Sequence, residues 1–228
     1  MKTYTRAEVA HALDHAVLSP TLTDDDVRQH AAMCRDRGVG CLCVRPCDVV
    51  IAAAALVGSD TITASVIGFP HGNSRPETKA LEARLAIQDG ARELDMVMNI
   101  SKFFSGDETT VMADIRAVVA EAKPKGVLVK VILETSLLTL EQVATACKLA
   151  QAGGADFVKT STGFAGGGAT PEAIDVMLKT VGTALKVKAS GGIRSWETAV
   201  GYLAQGCQRL GVGSTETVLD GNQASGTY

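Results

Sequence analysis

The sequence predicts an α/β chain folded as a single (β/α)8 (TIM) barrel, with a short N-terminal helix and a flexible C-terminal tail. Three observations carry this. Short apolar runs of strand type alternate with capped helical segments along the whole chain. The alternation closes at eight strands, and the 228 residues suit one barrel spanning residues 1–228, with 221–228 as a mobile tail. No linker, low-complexity tract or charge run interrupts the series.

The elements follow from local punctuation. A short helix from about Thr5 precedes the first strand, Leu13 to Leu18. Thr23-Asp24-Asp25-Asp26 opens a helix that stops at Gly38, and Cys41 to Val44 follows as a strand. Pro46 leads a helix to Gly58 before the strand Ile62 to Ile67; Pro76 starts another that ends at Gly90 before Glu93 to Met98. Asp107 begins a helix that stops at Pro124 to Gly126, and the strand Val127 to Leu133 comes next. Thr139-Leu140-Glu141-Gln142 is a capping box for a helix closing at Gly153, followed by Phe157 to Thr160. Thr170-Pro171 leads to Gly182 and the strand Leu185 to Ala189, and Ser195 leads to Gly206 and the strand Arg209 to Val212. An open Rossmann-type sheet is the competing fold. No Gly-x-Gly-x-x-Gly follows the first strand, which argues against it and against a dinucleotide.

Composition narrows the class of function. The net charge of −3 without a basic block points away from nucleic acid and anionic membranes, leaving a small molecule as the expected partner. The N-terminus has no apolar run after its lysine, so a cytoplasmic location is expected. Cysteines 34, 41, 43, 47, 147 and 207 include one cluster, but its spacing matches no zinc pair and no histidine completes it. Reduced and mostly buried thiols are expected, with no metal and no cofactor.

Chemistry concentrates in four strands with an ionisable residue in mid-run: Asp95, Lys130, Lys159 and Lys188. In a parallel barrel, strands buried on both faces should be apolar, and a lone buried ammonium loses hydration that nothing apolar replaces. Alternation places all four side chains on one interior face while Leu94, Val129, Val158 and Val187 face outward. A structural ion pair accounts for any one of them; four together point to a site. An amine that loses its proton near neutral pH is a nucleophile toward carbonyls. Periodicity alone does not choose between Lys159 and Lys188 for that role.

The loops after the late strands suit an anion. Gly163 to Thr170, Ser190-Gly191-Gly192-Ile193-Arg194 and Gly213-Ser214 belong on the C-terminal face, where barrels hold phosphate with backbone amides. The plain alternative is that these glycines only permit tight turns. His71, in Phe69-Pro70-His71-Gly72-Asn73, is a candidate acid or base on the same face, against a structural role. His11 and His30 fall in helices and read as surface or packing residues.

Seven ordered blocks, covering nearly the whole chain, resemble the deoxyribose-phosphate aldolases. They are Leu13-Asp14-His15 with Leu18 and Pro20, Cys43-Val44-Arg45-Pro46, Gly68-Phe69-Pro70-His71-Gly72, Glu93-Leu94-Asp95-Met96-Val97, Lys130 to Thr135, Phe157 to Gly163 and Lys188 to Arg194. The resemblance implies a class I aldolase that splits 2-deoxy-D-ribose 5-phosphate into acetaldehyde and D-glyceraldehyde 3-phosphate. It implies Lys159 as the Schiff-base lysine, Asp95 and Lys188 as a proton-transfer pair, and Tyr228 of the tail as a further proton-transfer group. Asp14, Lys130, Thr160, Gly163, Gly191, Gly192, Arg194 and Ser214 are then implied as substrate-binding residues. The partners implied are a phosphosugar and aldehydes, and a homodimer is compatible with them. Two residues depart from the family pattern: Ala16 stands where many members have threonine, and Phe164 where some have a phosphate-binding lysine. A barrel isomerase using Asp95 as base, and a sugar-phosphate binding protein on the same fold, are the rival readings.

Overall fold

The computed structural model describes residues 3–222 and forms a closed barrel of eight parallel strands in sequence order. The strands are β1 (Leu13–Val17), β2 (Cys41–Val44), β3 (Ile62–Ile67), β4 (Glu93–Val97), β5 (Leu128–Ile132), β6 (Phe157–Lys159), β7 (Lys186–Ser190) and β8 (Arg209–Val212). β8 pairs back onto β1 through Leu13↔Leu210 and Asp14↔Gly211, which closes the sheet. The main helices are α1 (Arg6–Ala12), α2 (Asp24–Arg37), α3 (Val49–Ala55), α4 (Pro76–Gln88), α5 (Ile100–Phe104), α6 (Glu108–Ala122), α7 (Leu140–Gly153), α8 (Pro171–Val181), α9 (Trp196–Gln205) and α10 (Thr215–Leu219). Tyr228 lies outside the described residues.

The predicted caps are made. Thr5, Thr23 and Thr139 each accept from the backbone three residues on, while Glu8, Asp26 and Gln142 reach back to the cap N–H. α7 runs one residue further than expected, with Gly153 as its last helical residue and Gly154 taking the left-handed turn at φ 87°. Gly153 is needed for another reason: a Cβ there would lie 2.5 Å from Ile115 Cγ2 of α6. α5 and α10 were not anticipated, since five residues are too few to set a hydrophobic period.

Two cores result from strand alternation. Outward strand residues such as Leu42, Leu94, Val129, Val158 and Val187 pack under the helices in one large apolar shell. A small second cluster, Leu18, Cys41, Cys43, Ala64 and Val66, fills only part of the barrel interior. All six cysteines are free, five of them buried. No helix among the described residues is long and apolar enough to cross a membrane.

Candidate active site

Beside the small apolar cluster the interior holds an ionic network, with Val97, Ile132 and Phe157 on the same inward face. Asp95 of β4 accepts from Lys130 Nζ on one oxygen and from both Lys159 Nζ and Lys188 Nζ on the other, each at 2.7 Å. β5, β6 and β7 deliver these amines because their alternate residues face inward, with Asp95 beside Lys130 and Lys159 beside Lys188 in the strand register. All four residues are at most 1% exposed.

The cluster is larger than the sequence indicated. Asp14 of β1 pairs with Lys188 and accepts from Arg209 Nε at 2.6 Å, and it lies 3.5 Å from Lys130. Glu93 pairs with Lys130 and, at 3.2 Å, with Arg209 Nη1. Glu93 and Arg209 were both missed, although Glu93 stands two residues before Asp95 and so shares its inward face. Three carboxylates thus meet four cations, an excess of one positive charge when all are ionised.

The environment decides which cation is released. Burial pulls the proton affinity of Lys159 down, Asp95 pulls it up, and Lys188 on the same carboxylate oxygen pulls it down again; the balance is a lowered pKa. Burial also acts on Lys188, but Asp14 and Asp95 outweigh it and hold this amine charged. Lys130 is likewise held charged: burial opposes its proton, but Asp95, Asp14 and Glu93 outweigh it. The two neighbouring lysines therefore do not disfavour each other's protons equally, as mutual repulsion alone would have it. Burial would raise Asp14, yet Lys188, Lys130 and Arg209 bring it down to about 2, and Asp95 is likewise driven well below the carboxylate range.

Asp14 and Lys130 are enclosed, their charged ends taken up within this network. Lys159 is the last residue of β6, at the C-terminal end where barrel sites open. Thr160 follows it, and its hydroxyl both donates to Ser190 O and accepts from Ser190 N at 2.9 Å, tying the ends of β6 and β7 together. Gly163, Gly191 and Gly192 have φ of 87°, 83° and 76°, backbone that side chains resist. Gly168 packs on the Gly191 turn, where Ala169 N donates to Gly191 O at 3.1 Å. Arg194 is exposed, and Ser214 stands at the N-terminal end of α10 without a side-chain capping bond.

Two cavities open on this face, with Phe164 lining both. The larger, about 590 Å³, is bounded by Ala16, His30, Gly163, Gly166 and Gly213. The smaller, about 370 Å³, is bounded by His71, Glu134, Thr162 and Phe104. Phe164 meets Phe69 edge to face at 5.2 Å. Glu134 was also missed as a site residue; it is buried in a left-handed conformation at φ 57°, and its carboxylate accepts from Thr162 N and Oγ1. A non-glycine residue there is strained, and the contact with Thr162 holds the start of the glycine loop.

Asp14, Cys41 and Glu93 come nearest to a metal-ligating arrangement, within 4.8 Å of one another. Arg209, Lys130 and Lys188 already occupy both carboxylates, and burial first, then Asp14 and Glu93, hold the Cys41 thiol protonated. Protein cations fill the place an ion would take.

Residues 8–207 match the model of the DeoC/LacD family aldolases. The chain belongs to this family. It is 44% identical over 220 residues to the deoxyribose-phosphate aldolase of Geobacillus sp. (strain WCH70), covering 96% of this chain and 98% of the relative. It is 45% identical over 221 residues to deoxyribose-phosphate aldolase 1 of Bacillus licheniformis, covering 97% and 99%. The tetrameric deoxyribose phosphate aldolase of Aeropyrum pernix superposes with a TM-score of 0.89 at 33% identity, covering 95% of this chain and 91% of that one. Family membership thus meets, independently, an interior of amines around one aspartate.

Proposed function

We propose that this chain is a class I deoxyribose-phosphate aldolase, cleaving 2-deoxy-D-ribose 5-phosphate reversibly to acetaldehyde and D-glyceraldehyde 3-phosphate through a Schiff base on Lys159. The observation that carries it is the unequal pair on Asp95, with one amine of lowered proton affinity and one held charged. Near-full-length likeness to proteins of that name supports the substrate.

Lys159 attacks the aldehyde carbon of the open-chain sugar, giving a carbinolamine that loses water to an iminium. The C3 hydroxyl gives up its proton and the C2–C3 bonding pair moves toward the iminium as that bond breaks, which releases D-glyceraldehyde 3-phosphate and leaves an enamine. Protonation of the enamine carbon and hydrolysis free acetaldehyde and return the amine. Lys188, kept charged, is the proton donor in this scheme, and Asp95 carries protons between the amines. Asp14 and Lys130 act on the substrate through those two groups. The glycine loops and Ser214 hold the phosphate with Arg194 near the rim, and Tyr228 of the tail assists proton transfer at the enamine.

Borohydride added with acetaldehyde tests this, because reduction fixes an iminium as a stable adduct. A mass gain mapping to Lys159 is expected, and Lys159→Arg is expected to gain nothing and to lose nearly all activity, since a guanidinium stays protonated. An adduct on Lys188 or Lys130 would reverse the assignment, and none at all would favour an isomerase or a binding protein. Tyr228→Phe should label normally yet turn over more slowly; unchanged turnover would remove Tyr228 from the scheme.

A further inference from the structure

A histidine relay ends in the wall of the larger cavity. His15 points outward from β1, away from the ionic interior, and its Nδ1 lies 2.8 Å from Thr215 Oγ1 at the start of α10. Its Nε2 lies 2.8 Å from Nδ1 of His30 on α2, with the two rings 4.8 Å apart. Thr215 and His15 are buried, whereas His30 is half-buried and lines the cavity beside Gly163, Gly166 and Gly213. His30 Nε2 makes no hydrogen bond among the described residues. Among the side chains bounding this cavity, His30 is the one that can ionise, and apolar Phe164 occupies the loop opposite.

The relay has two consistent proton arrangements. If Thr215 donates to His15 Nδ1, His15 Nε2 donates to His30 Nδ1, and His30 then carries its proton on Nε2. If His30 Nδ1 donates to His15 Nε2, His15 Nδ1 donates to Thr215, and His30 Nε2 is bare unless His30 takes a second proton. In the first arrangement, and in the doubly protonated form, Nε2 offers a donor on the ring edge left unbonded.

We propose that His30 is a further anion-recognition residue of the phosphate end, oriented by His15 and Thr215, and the ionisable side chain within the cavity wall. This rests on the reading of the larger cavity as the sugar-phosphate end. Burial lowers the proton affinity of His30, and Asp26 on α2 and Glu216 on α10 only partly restore it. A bound anion adds to the favourable side, so affinity rises as pH falls through the histidine range.

Sulfate is the probe, because its charge stays constant from about pH 8 to about pH 6, where histidine changes charge. Calorimetric titration of the full chain is expected to give tighter sulfate binding at the lower pH, and the 15N resonances of His30 are expected to move with saturation. His30→Gln keeps a donor without the charge and should bind sulfate with no such pH dependence. His30→Leu removes both and should weaken binding at the lower pH by roughly tenfold to a hundredfold, the size of a hydrogen bond to a charged group. Thr215→Val, which leaves the cavity wall untouched, should flatten the pH dependence by freeing the His15 tautomer. Sulfate bound equally well by His30→Leu with an unchanged pH profile would overturn the proposal. No turnover is involved, so a protein that binds sulfate at His30 but forms no borohydride adduct would sink the aldolase reading alone.

Discussion

Between β2 and β3 the barrel interior is filled by Cys41, Cys43, Ala64 and Val66, with Leu18 above them, whereas from β4 round to β8 it holds Glu93, Asp95, Lys130, Lys159, Lys188 and Arg209. Both halves are equally dry, so the difference is not one of solvent access. Apolar groups need only volume to match. Buried charges need partners at bonding distance, and replacing such a set by apolar side chains of similar size is often neutral or stabilising. The ionic half is therefore the half that stability does not ask for. It sets an amine of lowered proton affinity next to one whose proton is held, and an apolar filling offers neither.

Breaking the ionic half should produce the largest effect. Lys188→Met removes the like charge beside Lys159 and the first cation on Asp14. Turnover of deoxyribose 5-phosphate is expected to fall about 10²–10⁴-fold, as for a lost general acid or base. The residual activity should also shift in pH. In the proposed mechanism Lys159 reacts as the free amine, and without Lys188 it holds its proton more tightly, so the rising limb of kcat moves to higher pH. A variant with the wild-type limb would show that Lys188 does not set the state of Lys159.

How much of this was legible follows the same division. Helix ends were readable because a cap is local: Thr23 and Asp26, or Thr139 and Gln142, satisfy each other within one turn. Strand alternation gave the inward face, and so Asp95, Lys130, Lys159 and Lys188. Arg209 was passed over because a charge on the first residue of a strand reads as a solvated end; its partners Asp14 and Glu93 are 195 and 116 residues away, and barrel closure brings them together. His30 was taken for a surface or packing residue for a similar reason, since its partner His15 is on a strand and its cavity is made by late loops. Tyr228 rested on resemblance alone. Local physics is written in the sequence; pairings across the barrel appear once the ring is closed.

The apolar half gives an intermediate effect of another kind. Val66 is 2% exposed, and Val66→Ala deletes two methyl-sized groups there, which should cost about 2–3 kcal/mol of unfolding free energy in urea. Turnover per folded molecule should stay at the wild-type level, because Val66 bears no charge in the network. A large loss of kcat with full stability would mean that the two halves are coupled more closely than their separate packing implies.

The smallest expected effect sharpens the comparison through acid stability. The folded pKa of Asp14 is about 2, below its ordinary 3.8, so the folded state binds this proton more weakly than the unfolded chain. Its contribution is complete above the ordinary value and disappears as pH falls through the folded one. It amounts to about 2 kcal/mol, to which Asp95 adds in the same direction. Glu134 runs the other way: burial raises its pKa, against its bonds to Thr162, so its share grows as pH falls and partly offsets the loss. In Lys188→Met, Asp14 loses the foremost of the cations that hold it down, and its folded pKa moves back toward 3.8. Urea unfolding measured from about pH 5 to about pH 2 should then show less acid sensitivity below pH 4 than the wild type, on a lower plateau. Val66→Ala should lower the whole curve without changing its slope. Equal slopes in all three proteins would mean that the ionic half contributes nothing to acid sensitivity and that Asp14 titrates in the fold as it does in the unfolded chain.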